Sequence, residues 1–231
     1  MNGSSIGRAA AETAGTALLV GIGTGSIVLG VRLGGIPLWL TALAWFFAVL
    51  IPIVLFIRLS GSHLNPAVTL ALAVSGRVAW REVPYYVVGQ VCGAFAGSAC
   101  VYAAFGDVAH LGATVPIEGG LLRDFPAELV CTAALVVAVF VLSDFGEGPG
   151  RWRVLLPPSV VALATYVIGP WTGSSLNPAR TLAPALLSGT YTDLWMYFAA
   201  VPLGALVVAA VWRPRSVDRL DRGPGRRDVS T

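Results

Sequence analysis

The sequence predicts an all-α membrane protein: six transmembrane helices plus two re-entrant half helices in an inverted repeat. Three observations carry that prediction. The chain is 56% hydrophobic and only 12% charged, whereas soluble domains carry roughly 25% charged residues. The stretch 60–71 recurs without gaps 112 positions later as 172–183, with nine of twelve positions identical. Two apolar stretches of about ten residues are left over once the long ones are assigned, too short to cross a ~30 Å hydrocarbon core at ~1.5 Å per residue.

The six spans are read at about 9–31, 37–57, 84–105, 125–143, 154–168 and 193–211. Each is an apolar run of the length that signals a crossing, except the fifth, which is short and begins at Pro157-Pro158. The leftover stretches are 66–74 and 178–187. Each opens with Asn at the N-cap and Pro at the first helical position, a helix-start signal. Each half of the chain therefore has three spans, with a half-length helix between its second and third. Three is odd, so the second copy enters the membrane in the opposite sense and the two half helices dip in from opposite faces.

One channel-sized domain, 1–213, is expected, with repeat halves at about 9–105 and 125–212, followed by a disordered cytoplasmic tail at 214–231. That tail either touches anionic lipid or is merely solvated. All fifteen basic residues are Arg. Arg8, Arg58, Arg77, Arg81, Arg151, Arg153 and the six arginines from Arg213 onward fall on one side, against Arg32 and Arg123 on the other. This bias places both termini in the cytoplasm, and the expected location is the plasma (inner) membrane, multi-pass. No removable signal peptide is read at the polar start Met1 to Gly7.

Glycines at 89, 93 and 97, and at 21 and 25, recur every four residues, a spacing that lets helix backbones touch, here read as packing within one subunit. Cys92, Cys100 and Cys131 lie inside apolar runs and are expected as small buried packing residues. No catalytic Ser/His/Asp set and no metal-ligand cluster is read, so no enzyme, cofactor or metal is expected; nor is a nucleic-acid partner.

Asn65-Pro66-Ala67 and Asn177-Pro178-Ala179 carry the chemistry. The first N–H groups of a helix lack intrahelical partners, and its dipole puts roughly half a positive charge there. Two such ends meeting at mid-membrane repel cations and accept a neutral molecule with a lone pair. The Asn65 and Asn177 amides would donate to a passing oxygen and break the chain along which a proton hops. Arg180 replaces Val68 of the first copy. An arginine at membrane depth costs roughly 2.5–3.5 kcal/mol, so a wet constriction is its expected place. Glu12 and Glu128 occupy matching places in the two halves. They are read either as a proton relay or as acceptors for N–H groups of the loops leading into the half helices. His63 either tunes the cytoplasmic mouth with pH or is a neutral side chain bonded to loop backbone.

With both motifs, six spans and a matched Glu in each half, the chain resembles the major intrinsic proteins, the aquaporins and glycerol facilitators. The resemblance covers about 9–213. It implies a homotetramer with a pore in each monomer and passive, bidirectional flow. The family's four filter positions fall by counting on Trp45, Thr165, Ser174 and Arg180. Small Thr165 and Ser174 imply a wider neck than in strict water channels, similar to glycerol-permeable and nodulin-26-like members. Other positions point the other way: Thr181 stands where glycerol facilitators have Asp, and Tyr197-Phe198 resembles the aromatic pair of water-type members. The function expected is a passive channel for water and small uncharged solutes such as glycerol, excluding protons and ions. The alternatives are a strict water channel, or a secondary transporter built on the same kind of repeat.

Overall fold

A computed structural model of the chain describes residues 4–118, 120–145 and 151–212. The tail at 214–231, expected to be disordered, lies outside the described residues. All regular structure among the described residues is helical. Five helices are long and apolar enough to cross a membrane: α1 (Ser5–Arg32), α2 (Leu38–Ser60), α4 (Val83–Phe105), α5 (Leu121–Phe145) and α9 (Leu194–Val211). Between α2 and α4 lies the half helix α3 (Pro66–Val74). The fifth span is built differently. A 3₁₀ turn at Arg151–Leu155 runs into the short α6 (Leu156–Val167), and α7 (Gly169–Thr172) follows. The second half helix, α8 (Pro178–Ser188), precedes α9.

α3 has 9 residues and α8 has 11, about 14 and 17 Å of helix, half of what a span needs. Pro66 and Pro178 begin them, with no N–H to strand. Each half helix packs mainly on the opposite half of the chain. Ala67, Val68, Ala71 and Leu72 of α3 share an apolar cluster with Leu135, Val136, Phe140 and Val201 of α5 and α9. Ala179 and Ala183 of α8 share one with Leu19, Trp45, Ala48 and Ala94 of α1, α2 and α4. This exchange ties the two halves into one body.

The glycines at 89, 93 and 97 face α1 within the same chain. A Cβ on Gly89 or Gly97 would come within 2.5 Å of the Ala9 or Ala17 carbonyl oxygen, and one on Gly93 would overlap that of Thr13. The second half repeats the contact, with Gly204 of α9 against the carbonyl of Leu129 in α5. Cys92 and Cys100 differ from expectation. Both are exposed on the outside of α4, and Cys131 is half-buried. α4 turns its glycines inward, so its cysteines point away from the bundle. The buried Tyr86, Gln90 and Ser98 share the glycine face, and cysteine is apolar enough for either side.

One end of the bundle is bound by ion pairs. Arg8 at the start of α1 meets Glu82 before α4 at 2.8 Å. Arg77, after α3, grips Asp144 of α5 through Nε and Nη2 at 2.9 and 2.8 Å, and Trp212 donates to the same carboxylate at 3.0 Å.

Candidate functional site

The site is made where α3 and α8 meet end to end. Asn65 caps α3, its Oδ1 accepting from Ala67 N at 2.9 Å. Asn177 caps α8, its Oδ1 accepting from Ala179 N at 3.0 Å and Arg180 N at 3.3 Å. The Nδ2 of Asn65 donates to the Leu176 carbonyl at 2.7 Å, and that of Asn177 to the Leu64 carbonyl at 2.8 Å. Each cap is thus tied to the opposing loop, and that contact uses one of the two N–H groups of each amide.

The loops that deliver these caps are strained in the same way. Ser62 and Leu64 have φ of 49° and 56°, and Ser174 and Leu176 have 48° and 52°. Left-handed backbone costs such residues roughly 1–3 kcal/mol each, so the surroundings must hold it. Glu12 accepts from the His63 and Leu64 N–H groups at 3.0 and 2.7 Å. Glu128 accepts from those of Ser175 and Leu176 at 2.8 and 3.0 Å. Ser60 and Gln90 also donate to Glu12, at 2.6 and 2.8 Å.

A cavity of about 60 Å³ passes these turns, bordered by His63, Asn65, Asn177, Arg180 and Trp45, with Val68 and Val161 on its apolar wall. It has room for a few water-sized molecules. A wider vestibule of about 680 Å³ opens beyond it, lined by Ile27, Trp45, Thr165 and Gly173. Trp45 borders both cavities, so the neck between them lies at its ring.

Arg180 is 1% exposed. Its Nη1 donates to the Gly112 carbonyl at 2.9 Å and its Nη2 to that of Gly173 at 3.4 Å. Its Cζ lies over the Trp45 ring, 4.8 Å from the centroid. Nε of Arg180 and Oγ of Ser174 are buried with no hydrogen-bond partner among the described residues. Of the four residues placed at the neck by counting, Trp45 and Arg180 are in contact, and Thr165 lines the vestibule side. Ser174 is buried next to Gly173, its N–H on Thr172 Oγ1 at 3.0 Å.

His63 lines the inner cavity. Its Nδ1 is 3.1 Å from the hydroxyl of Thr69, and its ring stacks on Tyr86 at 4.3 Å. The partner is a side chain of α3, where bonding to loop backbone was one of the two expectations. Tyr197 does not face the lumen: it is buried, donating to the Thr172 carbonyl at 2.6 Å, while Phe198 is exposed on the bundle exterior.

Sequence reasoning missed several supports. Tyr86 donates to the Ser60 carbonyl at 2.5 Å, as Tyr197 does to Thr172. Ser60 and Thr172 are the first positions of the duplicated stretch, but the tyrosines lie 26 and 25 residues beyond them, so the ungapped repeat sets Tyr86 against Phe198 and hides the match. Thr181 is held between Thr114 and Ser175 at 3.1 and 2.6 Å. Gly112 reaches Arg180 because Ala109, His110 and Leu111 all take left-handed φ near 50°, which ordinary propensity does not foretell. Among the described residues no group of His, Cys, Asp and Glu is arranged to hold a metal ion.

An inverted repeat whose half helices abut beside a narrow lumen is the architecture of a membrane transport protein. The comparisons agree with that class. The sequence profile of the major intrinsic proteins matches residues 2–212. Aquaporin NIP1-3 of Oryza sativa subsp. japonica is 36% identical over 204 residues, 87% of this chain and 70% of the relative. Aquaporin NIP6-1 of Arabidopsis thaliana is 31% identical over 218 residues, 94% of this chain and 71% of the relative. The X-ray structure of the aquaglyceroporin from Plasmodium falciparum superposes with a TM-score of 0.80 at 27% identity, covering 95% of this chain and 100% of that one. The chain belongs to the major intrinsic protein family and resembles its NIP members. It is a multi-pass membrane channel rather than an enzyme.

Proposed function

We propose that this channel passes water and small uncharged solutes such as glycerol, down their gradients, while excluding protons and ions. The observation that carries the reading is the neck, where Trp45, with the Arg180 guanidinium stacked on its ring, borders both cavities and Thr165 is the small residue on the vestibule side. The indole supports a carbon backbone, and the guanidinium and hydroxyls meet the oxygens of a polyol. Its likeness to a solved aquaglyceroporin supports the polyol reading; its likeness to aquaporins supports water.

Charge exclusion is assigned to two features. Asn65, Pro66 and Ala67, facing Asn177, Pro178 and Ala179, present two positive helix ends and the second N–H of each amide. Arg180 adds a fixed cation. Glu12 and Glu128 are assigned the structural role, since each accepts two loop N–H groups. His63 shapes the mouth of the inner cavity through Thr69 and Tyr86. Four chains form the working assembly, each with its own pore, in the plasma (inner) membrane with both termini cytoplasmic, in keeping with the arginine bias.

Stopped-flow light scattering on proteoliposomes tests this. Water and glycerol permeabilities should both exceed those of protein-free vesicles and ignore imposed pH or ion gradients. Glycerol flow at the vesicle background with rapid water flow would make this a strict water channel. Flow driven by an ion gradient would make it a transporter.

A further inference from the structure

Leu19, Gly23 and Ile27 fall every four residues along one face of α1. Leu19 borders the inner cavity and Ile27 the outer vestibule. Gly23, between them, is buried at the level of the neck. A Cβ built there would lie 2.6 Å from Cη2 and Cζ3 and 2.7 Å from Cε3 of Trp45. Near-equal distances to three consecutive ring atoms put that methyl over the face of the indole. The helix itself gains nothing from glycine at an interior position. The indole does, because it occupies the space a side chain would have filled.

We propose that Gly23 is a positioning residue for solute selectivity: by lacking a side chain it lets the Trp45 indole lie back against α1, and so sets the width of the neck facing Arg180. This rests on the proposed role of Trp45 in the neck. Trp45 is 4% exposed and belongs to the apolar cluster that holds Leu19, Ala48 and Val49, and the Arg180 guanidinium lies over its ring. The open space beside it is the lumen, which it borders above and below. A methyl on Gly23 therefore drives the ring into the path, where a glycerol-sized solute meets it before water does.

The test compares Gly23→Ala, Trp45→Leu and the double variant in proteoliposomes, reading the ratio of glycerol to water permeability. Gly23→Ala should cut glycerol flow by about tenfold and water flow by about twofold or less. In the Trp45→Leu background the same glycine change should leave the ratio unmoved, since no indole remains to be pushed. An unchanged ratio in Gly23→Ala alone, or an equal drop in both backgrounds, overturns the proposal. If Gly23→Ala does not fold, recovery of folded protein in the double variant supports the seat, and no recovery overturns it. Trp45→Leu alone separates the two ideas: an unchanged ratio there removes Trp45 from the neck, whereas a changed ratio with an inert Gly23→Ala removes only the seat.

Discussion

Arg180→Val should open the channel to cations without slowing neutral solutes. Val is what the first copy of the repeat carries at the matching position, Val68, so the change is sterically familiar. For a monovalent cation passing about 5 Å from the guanidinium, at an effective dielectric of about 20, the repulsion is about 3.3 kcal/mol, a factor of about 300 in rate. The two half-helix ends and their Asn amides remain in the variant, so an increase of about 100-fold in proton or cation leak is the working figure. The substitution also strips donors from the Gly112 and Gly173 carbonyls, a loss of about 1–3 kcal/mol of stability, so folded yield is measured alongside. The assay is proton entry into dye-loaded proteoliposomes under a clamped potassium potential, paired with stopped-flow water permeability. A well-folded variant whose leak stays within about twofold of the parent would show that charge exclusion resides elsewhere.

Three further outcomes are expected. Thr165→His combined with Ser174→Phe should narrow the neck and reduce glycerol passage more than water; an equal loss of both would show that the two positions do not bound it. Gly93→Leu should prevent α1 and α4 from closing, because even a Cβ there overlaps the Thr13 carbonyl; a folded product with an ordinary thermal midpoint would contradict that packing. Arg77→Ala removes the two Arg77 hydrogen bonds to the buried Asp144 and leaves that of Trp212, a cost of about 1–3 kcal/mol, read as a lowered midpoint in detergent and relieved by the apolar pair Arg77→Met with Asp144→Leu.

The parts of the fold that show in the sequence are those where physics leaves few residue choices. A backbone that enters and turns back inside a membrane must be capped, and Asn-Pro at 65–66 and 177–178 declares where. A carboxylate buried in each half, Glu12 and Glu128, is costly enough to be noticed. What does not show is the side on which an apolar side chain falls. In α4 the inward face is declared by Gly89, Gly93 and Gly97 together with Tyr86, Gln90 and Ser98, but an apolar cysteine suits lipid as well as a protein interior, so Cys92 and Cys100 do not reveal that they lie outside. The short fifth span resists length-based reading because it opens as a 3₁₀ turn. The approach of Gly112 to Arg180 was hidden for another reason. It depends on three successive non-glycine residues with positive φ, a conformation imposed by packing rather than by composition.

The crossed amide contacts, Asn65 to the Leu176 carbonyl and Asn177 to the Leu64 carbonyl, also bear on how such a molecule is made. A nascent chain that has inserted only its first three spans holds a donor and an acceptor that have nothing to bind. Glu12 and Tyr86 of the same half already hold the first turn, but the Asn65 amide gains its partner only once Leu176 has been made and inserted. A half-length ancestor would have met the same need only by joining a second copy in the reverse orientation.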